Sequence, residues 1–310
     1  MRLVFAGTPA AAVPTLQRLA AEHDVLAVVT RPDAPQGRKR VLTPSPVAQA
    51  AEAAGLPVIK AVRLDEEATG RISALRPELG VIVAYGGLVR EPLLSAPDHG
   101  WINLHFSLLP AWRGAAPVQR ALIAGDAELG ASVFRLVPEL DAGDVFLRRA
   151  LPIPTHATAD EALTSLAADG AGLVSEVVAG IADGSARAVA QTGEATYAAK
   201  LSLADGALDW TRPAAEILAR YRGVTSEPGA HTTLGGAPLK VHELRGSAAE
   251  DGEPLAPGHM RAVKGSVLVG TGTAPLALIR VQPAGKGPMA AADWFRGLRP
   301  SEGVEPELGS

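Results

Sequence analysis

The densest run of chemistry-bearing side chains is Ile102-Asn103-Leu104-His105-Phe106-Ser107-Leu108-Leu109-Pro110. Side chains alternate faces along an extended strand, so Asn103 and His105, two residues apart, project to the same side. That pairs an amide donor with an imidazole able to give or take a proton near neutral pH. Such a pair can stabilise an oxyanion and move a proton, which acyl transfer to an amine requires. The same two residues could instead satisfy neighbouring backbone at a strand end. Downstream, Asp141 sits in Leu140-Asp141-Ala142-Gly143. A carboxylate there can pair with His105, fix its tautomer and raise its pKa, or it can simply cap its own turn. Spacing leaves both open.

A second feature is Arg38-Lys39-Arg40, within the loop Thr30–Pro46. At about 15 residues this loop is long for a strand-to-helix connection, and long loops in compact domains are usually functional. Three adjacent cations can meet a phosphate backbone, or they can be a solvated loop. The first turn, Gly7-Thr8-Pro9, is not a Gly-x-Gly-x-x-Gly fingerprint, and no Walker-type lysine follows a glycine loop. A nicotinamide or nucleoside triphosphate is therefore poorly supported. With no cysteine and seven histidines in no ligand-like spacing, no metal site is expected.

These residues need elements to position them. Short apolar runs at Leu3–Phe5, Val25–Val29, Val58-Ile59, Val81–Val83 and Trp101–His105 alternate with helical patterns at Ala11–Ala21, Ala48–Ala54, Glu66–Leu75 and Glu91–Ser95. This alternation predicts βαβ crossovers: an α/β fold with a doubly wound, mostly parallel sheet and its functional groups at the strands' carboxyl ends. Ser132–Val137 and Val145–Leu151 flank the Asp141 turn as a hairpin, and a long helix follows over Thr158–Asp183. Beyond about Ser185 the character changes: Arg187–Leu203 reads as a connector, and from Gly206 onward Pro and Gly punctuate short runs such as Leu239–Leu244, Ser266–Val269 and Leu276–Val281, spacings that suit a small β-barrel. The predicted division is a catalytic domain over 1–190, a linker over 191–205 and a second domain over 206–310, with Pro300–Ser310 frayed.

The chain has 310 residues, more than one core usually holds, so two domains are expected. It is 47% hydrophobic and 20% charged, which excludes a disordered chain. No apolar run is read as reaching the roughly 20 residues of a membrane span, and Gly7, Thr8 and Pro9 break the opening apolar run. A soluble, cytoplasmic protein is expected. The net charge of −4 offers no global pull toward nucleic acid, although residues 206–300 carry 11 Lys/Arg against 8 Asp/Glu.

Phe5-Ala6-Gly7-Thr8-Pro9, Asn103–Pro110 followed by Trp112-Arg113-Gly114-Ala115-Ala116-Pro117-Val118-Gln119, and Leu140–Asp144 together resemble the methionyl-tRNA formyltransferase family. The likeness extends to Val83-Ala84-Tyr85-Gly86, Leu208-Asp209-Trp210 and the stretch from Gly285-Lys286 to Met289. It implies formyl transfer from 10-formyltetrahydrofolate to the α-amino group of methionine on charged initiator tRNA. By position, Asn103, His105 and Asp141 match the family's catalytic trio, and Ser107, Leu108, Leu109 and Pro110 its folate-contacting segment. Arg38, Lys39 and Arg40 match its tRNA-reading loop, with Arg38 favoured as the key cation, and the second domain matches an OB-like barrel that holds the tRNA. A monomer using no metal and no membrane is implied. The rival readings are a formyltransferase acting on a small amine and a catalytically silent tRNA-binding homologue. Length weighs against one such rival, the bifunctional sugar-nucleotide enzymes with their extra dehydrogenase domain.

Overall fold

The computed structural model describes residues 1–37, 39–247, 255–298 and 306–309. In chain order it builds β1 (Arg2–Gly7), α1 (Val13–Glu22), β2 (Asp24–Thr30), β3 (Ala34–Gln36), β4 (Val41–Thr43), α2 (Pro46–Ala53) and β5 (Val58–Lys60). Then come α3 (Glu66–Ala74), β6 (Leu79–Val83), β7 (Trp101–His105), β8 (Arg113–Gly114), α4 (Pro117–Ala124), β9 (Leu129–Arg135), β10 (Val145–Leu151), α5 (Ala159–Ala182) and β11 (Tyr197–Ala198). Leu3, Val4, Phe5 and Ala6 are all fully buried, as a central strand covered on both faces requires.

The main sheet runs β10-β9-β7-β6-β1-β2-β5. From β7 to β5 it is parallel, and β9 and β10 add antiparallel strands at the other edge. Strand order reverses between β1 and β6, so the crevice of this sheet opens beyond their carboxyl ends, one strand from β7. Local chemistry starts the helices where they are needed. Ser45 Oγ accepts from the Ala48 amide at 3.0 Å ahead of Pro46, and Asp65 Oδ1 accepts from the Ala68 amide at 3.0 Å.

Several expectations are corrected. Glu91–Ser95 forms turns and no helix. The loop after β2 is partly ordered as a hairpin, with Ala34↔Thr43 and Gln36↔Val41 paired. One segment, α5, does have the length and composition to cross a membrane, contrary to the expectation from the apolar runs. In this fold α5 packs on the sheet. Leu166, Leu173, Val174 and Val178 are fully buried, and a Cβ at Gly170 would lie 2.7 Å from Leu104 Cδ2, so glycine lets α5 approach β7 without displacing that side chain.

Contacts divide the chain into two compact units that no single cut separates. The second contains Lys200–Ser310 together with Val118–Ala127 and Pro154–Asp160. Its elements are α6 (Ala214–Gly223), β12 (His231–Leu234), β13 (Ala237–Gly246), β14 (Met260–Val263), β15 (Ser266–Val269), β16 (Leu276–Pro283), β17 (Met289–Ala290) and α7 (Ala291–Arg296). The sheet runs β12-β13-β16-β15-β14 with β17 on β16, all antiparallel, around a core that includes Trp210, Tyr221, Val241, Val267, Leu278 and Trp294. Glu307 and Leu308 bridge to His259 and Leu234, spanning from the β14 end to β12. This closure fits the expected OB-like barrel and corrects the frayed-tail expectation for these residues: Leu308 is buried. Pro300 to Glu305 and Ser310 lie outside the described residues.

Candidate active site

Strand β7 delivers Asn103 and His105 to one face. Asn103 stands between Ile82 of β6 and Phe134 of β9, and His105 faces Ser132. His105 is 6% exposed, and its ring meets that of Phe134 edge-on with centroids 6.4 Å apart. Its Nε2 lies 2.8 Å from the Trp112 carbonyl oxygen. A carbonyl can only accept, so Nε2 carries the proton in the neutral ring and Nδ1 presents its lone pair. That Nδ1 is 3.8 Å from Asp141 Oδ2.

Asp141 reaches this place through a constrained turn. Its φ is +47°, in the left-handed region. Two residues on, a Cβ at Gly143 would fall 1.8 Å from the Arg135 carbonyl oxygen, so the turn packs onto β9 only with glycine there. The carboxylate then crosses to accept from the Gly114 amide at 2.7 Å. The carboxylate thus stands beside the imidazole and bonds to a backbone amide outside its own turn. Burial lowers the His105 pKa, and the Asp141 carboxylate and Trp112 carbonyl oppose that shift without reversing it. The carboxylate raises the pKa in the expected direction, but desolvation of a nearly enclosed imidazole outweighs a group standing beyond hydrogen-bond distance.

Asn103 and His105 open onto a cavity of 490 Å³ whose other walls are Ala84–Val89 and Leu136–Asp141. Most of these walls are apolar: Ile82, Tyr85, Val89, Phe106, Val137 and Leu140. Asn103 Oδ1 is buried and has no hydrogen-bond partner. Among the described residues no cluster of His, Asp and Glu could hold a metal ion.

The segment Ser107–Pro110 is not among the residues lining that cavity. It braces the strand end from behind. Ser132 Oγ donates to the Ser107 carbonyl at 2.7 Å and accepts from the Leu109 amide at 3.1 Å. Ser107 Oγ donates to the Ala111 carbonyl at 2.6 Å, and Arg148 Nη1 to the Leu109 carbonyl at 2.9 Å. Lys39 and Arg40 are exposed at the tip of the β3–β4 hairpin and do not line the cavity, while Arg38 lies outside the described residues. Sequence reasoning missed the cavity walls at 87–89 and 136–139. It also missed the connector 191–198, where β11 pairs with β8 and Thr196 Oγ1 accepts from the Trp112 amide at 2.8 Å. The continuous apolar Val81–Val83 strand could have pointed to the first wall; a polar connector gives no such signal.

The chain is similar to known proteins over nearly its whole length. Residues 1–178 match the formyl transferase family, and residues 200–299 match the formyl transferase C-terminal domain. The methionyl-tRNA formyltransferase of Leifsonia xyli subsp. xyli (strain CTCB07) is 61% identical over 297 residues, covering 96% of this chain and 97% of the relative. That of Clavibacter sepedonicus is 59% identical over 299 residues, with the same shares. In fold, the chain is similar to an N-formyltransferase from Helicobacter canadensis solved with folinic acid and dTDP-3-aminofucose, with a TM-score of 0.68 at 15% identity. The match covers 91% of this chain and 98% of that one. A chain of this size can thus be complexed with an amino sugar nucleotide, so length does not dismiss the sugar-nucleotide rival. Identity does separate them, at 61% to the one class and 15% to the other. By those near full-length matches, the chain belongs to the methionyl-tRNA formyltransferase family.

Proposed function

We propose that the chain transfers a formyl group from 10-formyltetrahydrofolate to the α-amine of methionyl initiator tRNA, with Asn103, His105 and Asp141 carrying the step. One observation carries the reading: a buried imidazole with a free nitrogen, a carboxylate 3.8 Å from it, and the Asn103 amide, whose NH2 can donate, converge on one largely apolar cavity. The apolar walls suit an aromatic co-substrate, and the folinic acid complex of the Helicobacter canadensis enzyme supports a folate on this fold. When bound, the folate supplies the formyl carbon.

The chain's own groups then have separable tasks. An α-amine has a pKa of about 8, so a useful fraction is neutral at cytoplasmic pH. As that nitrogen bonds to the formyl carbon, it must shed a proton and the formyl oxygen gains negative charge. The Asn103 amide donates to that oxygen, a contribution of about 3 kcal/mol for a well-placed donor. His105, kept neutral by burial, takes the amine proton at Nδ1, while Nε2–H stays on Trp112 and fixes the ring. Asp141 then faces an imidazolium, which it stabilises until the proton passes to the departing folate nitrogen. Ser107–Pro110 supports the site by bracing the strand end. Lys39 and Arg40, with Arg38, supply cations for tRNA phosphates, and the closed antiparallel unit holds the tRNA body.

The test is acceptor choice. Purified chain with 10-formyltetrahydrofolate should formylate methionyl initiator tRNA and leave glycinamide ribonucleotide and dTDP-3-aminofucose unmodified. Formylation of either small amine at a comparable kcat/KM would move the assignment to that acceptor.

A further inference from the structure

Gln191 falls in the stretch predicted to be a linker, yet both ends of its amide are hydrogen-bonded beside the reacting groups. Its Nε2 donates to the carbonyls of Asp141 and Gly143, both at 2.8 Å. Its Oε1 accepts from Arg113 Nη2 at 2.7 Å and from Arg113 Nε at 3.2 Å. The register explains the placement. Val189 and Val145 exchange backbone hydrogen bonds of 2.8 and 2.9 Å as an antiparallel bridge, and two residues further along that register set Gln191 opposite Gly143.

Asp141 holds a left-handed backbone conformation that costs a non-glycine residue free energy and persists only when its surroundings over-determine it. Gln191 ties down the carbonyls at both ends of Asp141-Ala142-Gly143 and also grips Arg113, whose neighbour Gly114 donates to the Asp141 carboxylate. One amide therefore fixes both partners of the Asp141–Gly114 bond. Only a carboxamide does this, because the task needs two N–H donors and one acceptor on the same head group.

We infer that Gln191 is a positioning residue for the transfer reaction, locking the turn that aims Asp141 at His105. This rests on the reading of Asp141 as the group that stabilises the protonated imidazole. The test uses the full chain with Gln191→Ala, Gln191→Glu, Asp141→Asn and the Gln191→Glu/Asp141→Asn double variant. Glutamate keeps the acceptor for Arg113 and loses both donors to the turn. Gln191→Ala and Gln191→Glu should each lower kcat by about 10- to 100-fold, the cost of a misplaced group, with both KM values within about twofold. The double variant should be no more than about twofold slower than Asp141→Asn alone, because both changes remove the same function. Near-wild-type kcat for Gln191→Glu would overturn the inference by assigning Gln191 to Arg113 alone. Multiplying losses in the double variant would overturn it as well. Gln191→Glu carries the test if Gln191→Ala does not fold. Full activity in Asp141→Asn would instead overturn the underlying reading of Asp141.

Discussion

A histidine with 6% of its surface exposed can take up a proton only against the cost of its own burial. Two opposing influences act on His105: enclosure disfavours the imidazolium, and Asp141 and the Trp112 carbonyl favour it, with enclosure the larger. The folded-state pKa therefore lies below the unfolded value of 6.5. Stability from this residue is complete above that value and is lost as pH falls from it toward the folded pKa. For catalysis the same direction leaves the base form populated at neutral pH. Asp141→Asn removes a contribution that raises the pKa, so the acid limb of kcat/KM should move to lower pH while the maximum rate falls. Rate profiles measured from about pH 5 to 8 check this, and a limb that moved to higher pH would contradict it. Asn103, His105 and Asp141 were legible because strand alternation and the Asp-x-Gly turn are local signals. The pKa direction was not, since it depends on enclosure of the ring by Phe134 and the surrounding sheet. Gln191 was invisible for a similar reason. A glutamine in a polar connector is ordinary until the Val145–Val189 bridge sets it against the turn.

Among the elements, the parallel strands and their helices could be read from periodicity, because long apolar repeats carry their own evidence. The failures were short pieces. Glu91–Ser95 offers five residues, too few to repay helix nucleation, and Ser95 Oγ donates to Glu91 Oε1 at 2.7 Å within a turn instead. The β3–β4 hairpin was hidden inside a proline-bearing loop, with Pro35 in β3 itself. That hairpin converts a floppy cationic loop into a presented one: Gln36 pairs with Val41 at the base of a tip holding Lys39 and Arg40. Replacing Arg38, Lys39 and Arg40 together by alanine should lower kcat/KM for charged tRNA and flatten its salt dependence. The slope should fall by about 0.7–0.9 for each phosphate that is no longer neutralised. Folate KM should be unchanged. Kinetics at two salt concentrations check this, and an unchanged slope would return the cluster to a solvated tip.

At the scale of the whole molecule, the second unit recruits residues from the first half of the sequence. Arg120 Nη1 lies 2.6 Å from Asp205 Oδ1, and Ile123 packs against the second core. The Arg120 guanidinium, with the Ser202 amide and hydroxyl, lowers the Asp205 pKa from 3.8 to about 2. Stability from this carboxylate is present above 3.8 and is lost as pH falls toward about 2. Arg120→Ala should therefore lower Tm at pH 7, and its difference from wild type should shrink as pH drops through that interval. Thermal unfolding at a series of pH values checks it, and a difference that grew on acidification would contradict it. The main segment of the second unit begins at Lys200, and its further segment Val118–Ala127 carried no signal in the sequence. It depends on contacts such as the approach of Gly223 to Ile123, between residues far apart in the chain. What the two units and the cavity exist to do is tested most directly at His105. Formylation of methionyl initiator tRNA from 10-formyltetrahydrofolate should proceed with the wild-type chain, and in His105→Ala its kcat should fall by about 100-fold or more with KM for both substrates little changed. Wild-type turnover in His105→Ala would contradict the account.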